Sequence, residues 1–400
     1  MTATAAARRI RVAVATGLFI TLGAPHSAFA QRSVTDVLSF LLTNRSIATD
    51  DAARDEAAAA ATRDAMSQLL LLELATLPTL SSSTGFIYRM DRDLGGAVVR
   101  SSESFGPSFV ERSLTQGAFR AGFGVAYQET KFDEIDGRSL TDGSLVATAS
   151  RLTGQNDPFD VETLALEVRS RALLMSMNVG LTDRLDISAA LPIVRLTLSG
   201  ERTDTLRGTP FVQARATADA SGVGDLMLRG KYNAVRRGGT GLAVGAEARL
   251  PTGAEENLLG AGELSIKPRL IGSVENGRVS LHSEFGYSFG GLTREIDYAG
   301  AVAVAASSQV TFIGELLGRR LDSGGRITET VVAHPTLRGV ETIRLTAVPD
   351  ATYRATAVGS VKWNVAHTWL VSASVLHPMT TTGLTADIIP SVVVEYSFGR

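Results

Sequence analysis

From residue 384 to residue 398 the chain alternates two residues at a time. Leu384, Ala386, Ile388, Pro390, Val392, Val394, Tyr396 and Phe398 fall on one face of a strand. Thr385, Asp387, Ile389, Ser391, Val393, Glu395 and Ser397 fall on the other, because successive strand side chains point to opposite faces. One face is apolar and the other mostly polar, which suits a strand between hydrocarbon and water. The pattern recurs upstream. Phe119, Ala121, Phe123, Val125 and Tyr127 oppose Arg120, Gly122, Gly124, Ala126 and Gln128, and Tyr353, Ala355, Ala357, Gly359, Val361 and Trp363 oppose Arg354, Thr356, Val358, Ser360, Lys362 and Asn364. Read this way the sequence predicts twelve strands, starting near 117, 164, 185, 224, 241, 263, 279, 297, 310, 351, 369 and 384. Two of them break parity, around residues 169–172 and 192–194, and a bulge in each would restore the facing and accommodate Pro192.

The links between these strands sort by length. Long ones at 131–163, 199–223 and 322–350 are separated by short turns such as Thr182-Asp183-Arg184, Glu275-Asn276-Gly277-Arg278 and Ala366-His367-Thr368. Outer-membrane barrels have short periplasmic turns and longer extracellular loops, whereas a soluble sandwich has no reason to sort its links by parity. The predicted fold class is an all-β membrane protein, an antiparallel transmembrane β-barrel of about 12 strands over 117–400, preceded by an α-helical and hatch-like segment.

Before Gly117 the periodicity differs. Val34, Val37, Leu38, Leu41 and Leu42 form the apolar stripe of a short amphipathic helix. Thr49 or Asp50 can cap a second helix through the alanine-rich stretch to about Leu77, with Pro78 as its stop. Residues 31–83 read as a helical periplasmic segment. Residues 84–116, with paired arms Phe86 to Arg89 and Ala97 to Arg100 and a turn at Phe105-Gly106-Pro107, read as a hatch or a linker. The first thirty residues read as a secretory signal: Arg8, Arg9 and Arg11, an apolar run from Val12 to Leu22, and Ala28-Phe29-Ala30 with cleavage between Ala30 and Gln31.

Composition narrows the picture. Removing the three leader arginines from 39 Lys+Arg leaves 36 against 41 Asp+Glu, a charge near −5 with no nucleic-acid partner implied. Cysteine is absent, which excludes disulfides, thiolate metal sites and a cysteine nucleophile.

Charge placement then marks the interior. Arg or Lys facing lipid at the midplane costs roughly 2–4 kcal/mol, and the lumen tolerates it. The polar rows assign Arg120, Arg229, Lys231, Glu247, Arg249, Lys267, Arg269, His282, Glu284, Glu315, Arg354, Lys362, Asp387 and Glu395 to the lumen. The arginines either meet anionic or aromatic solutes or pair with the glutamates across a packed interior. Tyr127, Tyr232, Tyr287, Tyr298, Trp363, Trp369 and Tyr396 read as interface anchors.

Several stretches resemble the outer-membrane barrel family named for the meta-pathway of phenol degradation. They are Gly180-Leu181-Thr182-Asp183-Arg184 running on to Leu191-Pro192, Gly222-Val223-Gly224-Asp225-Leu226, Leu250-Pro251-Thr252-Gly253 and Gly314-Glu315-Leu316-Leu317-Gly318. The terminal Tyr396 and Phe398 resemble the assembly signal of such barrels. The resemblance implies a cell outer membrane location, lipid and lipopolysaccharide around the barrel, the barrel-assembly machinery as a folding partner, and passage of small hydrophobic or aromatic solutes. A barrel that merely anchors partner-binding loops is the alternative.

Enzymatic and metal chemistry find little support. Ser280, His282 and Glu284 share one strand face, but same-face neighbours lie about 7 Å apart, too far to activate a nucleophile. His334, His367 and His377 lack ligand spacing, and Asp133, Glu134, Asp136 and Asp142 read as a solvated loop or a bridge to divalent cations at the lipopolysaccharide surface. No cofactor is implied.

Overall fold

The alternating rows close on themselves. In a computed structural model describing residues 33–43, 52–75, 79–83, 85–91, 97–100, 102–334, 336–366 and 368–398, twelve antiparallel strands form one barrel. In chain order they are β1 Ala121–Phe132, β2 Asp160–Gly180, β3 Leu185–Leu206, β4 Leu226–Arg237, β5 Thr240–Leu250, β6 Ser265–Asn276, β7 Val279–Gly290, β8 Glu295–Ala305, β9 Val310–Leu321, β10 Thr352–Ala366, β11 Trp369–Pro378 and β12 Ile389–Phe398. β12 pairs with β1 from Ser391↔Gln128 to Phe398↔Ala121, so no edge remains in the wall. The expected leader and its cleavage point at Ala30 and Gln31, the caps Thr49 and Asp50, and His367 lie outside the described residues.

The outward rows are apolar. Tyr232, Leu270, Phe285, Val302, Leu316, Trp363 and Val392 are each between 45 and 51 % exposed, the value of side chains lying flat on a barrel exterior. Aromatics gather at both ends of this band: Phe123, Tyr232, Phe312, Trp363, Trp369, Tyr396 and Phe398 toward the short turns, and Tyr127, Tyr287, Phe289, Tyr298 and Tyr353 toward the long links. Trp369, Tyr396 and Phe398 stack in sequence, with ring centroids 4.8 and 4.5 Å apart.

Four expectations need correction. Link 199–223 is not a loop: β3 continues to Leu206, and Thr209–Val223 returns beside it, from Leu206↔Thr209 to Ile193↔Val223. The expected bulges near 169–172 and 192–194 are absent from the β2–β3 ladder, which runs in register from Asp160↔Leu206 to Gly180↔Asp186. Pro192, with no N–H to give, sits where β3 changes partner on its other edge, from β4 (Ala190↔Met227) to the returning strand (Ile193↔Val223). β12 begins only at Ile389, because Leu384 and Ala386 turn into the core. β1 likewise begins at Ala121. Phe119 before it takes a left-handed conformation (φ 58°) and stands 90 % exposed.

The fourth correction concerns the helices. α1 (Val34–Thr43) and α2 (Ala52–Ala75) pack at the long-link end, not beyond the short turns. Ser33 and Asp36 cap α1 reciprocally, Oγ accepting from Asp36 N at 3.0 Å and the carboxylate from Ser33 N at 3.2 Å. At its other end the buried Arg202 donates to Leu42 O at 2.9 Å, satisfying a terminal carbonyl. Val34, Leu38 and Leu41 share one buried core with Leu166, Leu196 and Leu198 of the extended strands. Thr62 of α2 donates to Ala147 O at 3.0 Å and accepts from Leu345 N at 3.2 Å, joining α2 to Leu145–Leu152 and to Val340–Ala347.

Candidate functional site: a filled lumen below an amphipathic chamber

Below the helices the chain descends through the barrel. Residues 79–83 line the mid-lumen, the paired arms Tyr88–Asp91 and Ala97–Arg100 follow, and residues 102–116 fill the lower lumen before β1 begins. A segment without regular structure carries many unpaired backbone groups, and burying them costs free energy unless each is matched. The wall supplies the matches. Glu315 accepts from Ser108 N (2.8 Å), Phe109 N (2.9 Å) and Val110 N (2.8 Å). Glu284 accepts from Glu111 N at 2.7 Å, and Glu395 from Gly85 N at 3.0 Å. Lys362 donates to Pro107 O at 2.8 Å, Lys231 to Arg112 O at 2.9 Å, and Arg229 to Leu80 O at 2.7 Å.

Side chains of the filling segment extend the same network. Glu111 accepts from Ser82 N at 2.6 Å and lies 3.7 Å from Lys231 and 3.8 Å from Arg229. Burial works against its charge, but Lys231, Arg229 and Arg269 together outweigh it and hold its carboxyl below the usual carboxylate range. Arg112 donates to Glu275 at 2.6 Å, and Ser113 N to Ser273 Oγ at 2.9 Å. The glycine turn at Gly106 (φ 70°) lets the segment reverse against the Arg112 guanidinium, where an added Cβ would meet Nη1 at 3.1 Å.

Most of the residues assigned to the lumen are there. Arg229, Lys231, Glu247, Arg249, Lys267, Arg269, His282, Glu284, Glu315, Arg354, Lys362 and Glu395 all face inward. Arg229 and Arg269 converge on Glu247 at 2.6 and 2.8 Å, and Arg269 reaches Glu284 at 3.4 Å. Arg354 pairs with Glu73 of α2. Arg120 sits half-exposed at the short-turn rim, one residue before β1. Asp387 is a correction. It lies exposed in the link before β12, where its carbonyl meets His377 Nδ1 at 2.8 Å. Glu315 and Glu395, expected to pair with arginines across the interior, instead receive backbone N–H groups. Residues 79–83, Glu111, Arg112 and Glu275 were not assigned to the lumen; the run of serines at 81–83, polar directly after a leucine-rich stretch, was the signal for the first of them.

The Ser280–His282–Glu284 row forms no relay. His282 bridges Ser273 (2.9 Å) and Ser280 (3.0 Å), Ser280 meets Ser104 at 2.8 Å, and Glu284 turns to Arg269 and Glu111 N. Asp136 in the first long link is committed to Ile327 N (2.6 Å) and Gly383 N (2.7 Å), and no acidic or histidine cluster suited to a metal ion occurs among the described residues.

Above the filled zone two cavities lie side by side. One, of about 70 Å³, is lined by Leu74, Ala126, Leu174, Pro192, Val194 and Leu259; the other, of about 120 Å³, by Lys267, Arg269, Glu284, Glu295 and Arg319. Thr79 and Arg249 line both. Three of the recognised sequence stretches converge beside the apolar cavity. Gly224 N donates to Pro192 O at 2.8 Å, Asp225 accepts from Gly253 N (3.1 Å) and Ala261 N (2.8 Å), and Thr252 Oγ1 donates to Gly224 O at 2.8 Å. A side chain at Gly253 would meet Gly260 Cα at 2.7 Å, so glycine is required by this close approach.

The fold and the filled lumen define an outer-membrane β-barrel whose amino-terminal segment occupies its own interior. The family model described as "Putative MetA-pathway of phenol degradation" matches residues 163–385, more than half the chain, and the protein belongs to that family. No curated protein matches the sequence. Similar solved structures include an outer membrane channel of Pseudomonas putida F1, 12 % identical over 72 % of this chain and 98 % of that one (TM-score 0.44). Another is the translocator domain of the autotransporter NalP of Neisseria meningitidis, 12 % identical over 70 % and 89 % (TM-score 0.37). A third is a FadL homologue of Pseudomonas aeruginosa, 11 % identical over 70 % and 90 % (TM-score 0.31).

Proposed function

We propose that the barrel is a gated outer-membrane channel for small hydrophobic or aromatic solutes, with residues 33–116 as its gate. The observation that carries this reading is the chemistry of the filling. The lower segment is held chiefly by hydrogen bonds to wall carboxylates and from wall cations, with a small apolar cluster of Phe86, Phe105 and Leu370 beside them, so water can replace most of those contacts when the segment moves. The chamber above offers an apolar lobe for a ring and a charged lobe for a hydroxyl or carboxylate, with Arg249 between them. α2 lends Leu72 and Leu74 to the walls of this chamber and would have to shift with the gate.

The test is conductance and flux in proteoliposomes, with phenol and benzoate as probes. Intact protein is expected to pass little current, and a chain lacking residues 33–116 to pass current and both solutes. A folded, inserted deletion variant with no current and no flux would overturn the channel and favour a barrel that presents its long links to a partner.

A further inference from the structure

On β1, β2 and β3 the lipid-facing band ends abruptly toward the long links. Its last row is Tyr127, Leu173, Ile193 and Val223, in register across the strands and 36–45 % exposed. The next two outward rows are charged. Arg171 stands directly opposite Arg195, and two residues farther along Lys131 stands directly opposite Arg169. Like charges placed directly across a ladder destabilise the sheet. Here two such pairs are stacked.

The acids nearby compensate only in part. Glu129 takes Arg171 at 3.1 Å and lies 4.0 Å from Arg169, and Asp219 takes Arg195 at 2.7 and 3.0 Å. Glu167, one row higher, is exposed on the same face. The arginine side chains remain 43–59 % exposed. Within these two rows four cations meet two acids, an excess of positive charge that Glu167 offsets only in part.

We propose that this patch binds the phosphate groups of a glycolipid in the outer leaflet. The inference rests on the outer-membrane reading, which places the long links outside. The patch begins where hydrocarbon contact stops, at headgroup depth. Arg169, Arg171 and Arg195 present planar forks suited to phosphate oxygens. An anion bridging the opposed pairs removes their repulsion, which a neutral headgroup cannot do.

The test uses the purified full chain in detergent, titrated with bis-phosphorylated lipid A, with its dephosphorylated form and with inorganic phosphate, and read by native mass spectrometry. Wild type and the control Arg215→Gln are expected to prefer the phosphorylated lipid at least tenfold over the dephosphorylated one, and to retain no inorganic phosphate. The triple variant Arg169→Gln, Arg171→Gln, Arg195→Gln is expected to lose that preference. An unchanged preference in the triple variant, equal binding of both lipids by wild type, or equal retention of inorganic phosphate would each overturn the proposal. Heat-modifiable electrophoretic mobility of each variant reports barrel folding, and membrane fractionation of cells tests the outer-membrane reading, so their failure is distinguishable from failure of the lipid site.

Discussion

β2 and β3 carry two opposite polarity patterns on one unbroken pair of strands. In the half nearer the short turns, Leu173, Met177, Ile187 and Ile193 point out, while Ser176, Asn178, Asp186 and Ser188 point in. In the half nearer the long links, Leu164, Leu166, Val168, Leu196 and Leu198 point in, while Arg169, Arg171, Arg195 and Glu201 point out. The backbone keeps its register throughout. What changes is the solvent: hydrocarbon outside the lower half and water outside the upper. An inversion of polarity at fixed parity therefore marks the membrane boundary, and in the sequence it is indistinguishable from a bulge.

The same contrast explains how the amino-terminal segment is held. In the lower half the outward row must satisfy lipid, so the inward row is polar and binds residues 79–83 and 102–116 by hydrogen bonds. In the upper half the inward row is free to be apolar, and α1 and α2 pack on it as in a soluble domain.

The largest expected effect is on the lower half as a whole: removal of residues 33–116 should convert a closed barrel into a conducting one, read in planar bilayers. Next is Glu315→Ala. Three N–H groups lose their acceptor, at roughly 1–3 kcal/mol each, so a several-degree drop in melting temperature and faster exchange of the 108–110 amides are expected; an unchanged exchange rate would mean the wall does not hold the segment. In the upper half Leu198→Ala should cost about 2–5 kcal/mol as a core truncation, and limited proteolysis should then release α1 and α2 while conductance stays low. Arginine placed at Leu270, outward in the lower half, should cost roughly 2–4 kcal/mol in lipid, whereas arginine at Ser199, outward in the upper half and directly opposite Glu167, should leave urea midpoints nearly unchanged. Equal penalties would refute the boundary. The smallest effect belongs to Arg215→Gln, whose pair with Glu201 (2.6 Å) is solvent-exposed; its melting temperature should match wild type within scatter.

Much of this was legible in the residues. Alternation placed all twelve strands within about five residues of their observed starts, and the rule that charge avoids lipid sent Arg229, Glu247, Glu284, Glu315 and Lys362 to the lumen. The rest failed for physical reasons. Local periodicity carries no sign of which solvent lies outside a strand, so the inversion at 169–172 resembled a bulge. Helical periodicity in 34–42 showed an apolar stripe but not its partner, because Leu166, Leu196 and Leu198 lie more than a hundred residues away. Glu315 was placed correctly yet its partners were not, since backbone N–H groups have no side-chain signature.

The unequal lengths of the strands give the barrel a tall side and a low side. β2 and β3 run 21 and 22 residues, while β5 to β9 run 11 or 12. At about 3.3 Å per residue the difference is roughly 30 Å along the strand. The charged cavity is bordered by Gly290, Gly291, Leu292 and Thr293, which cross the low sill between β7 and β8. A solute approaching from the long-link side thus meets a palisade on one flank and a doorstep on the other. Entry has a compass bearing.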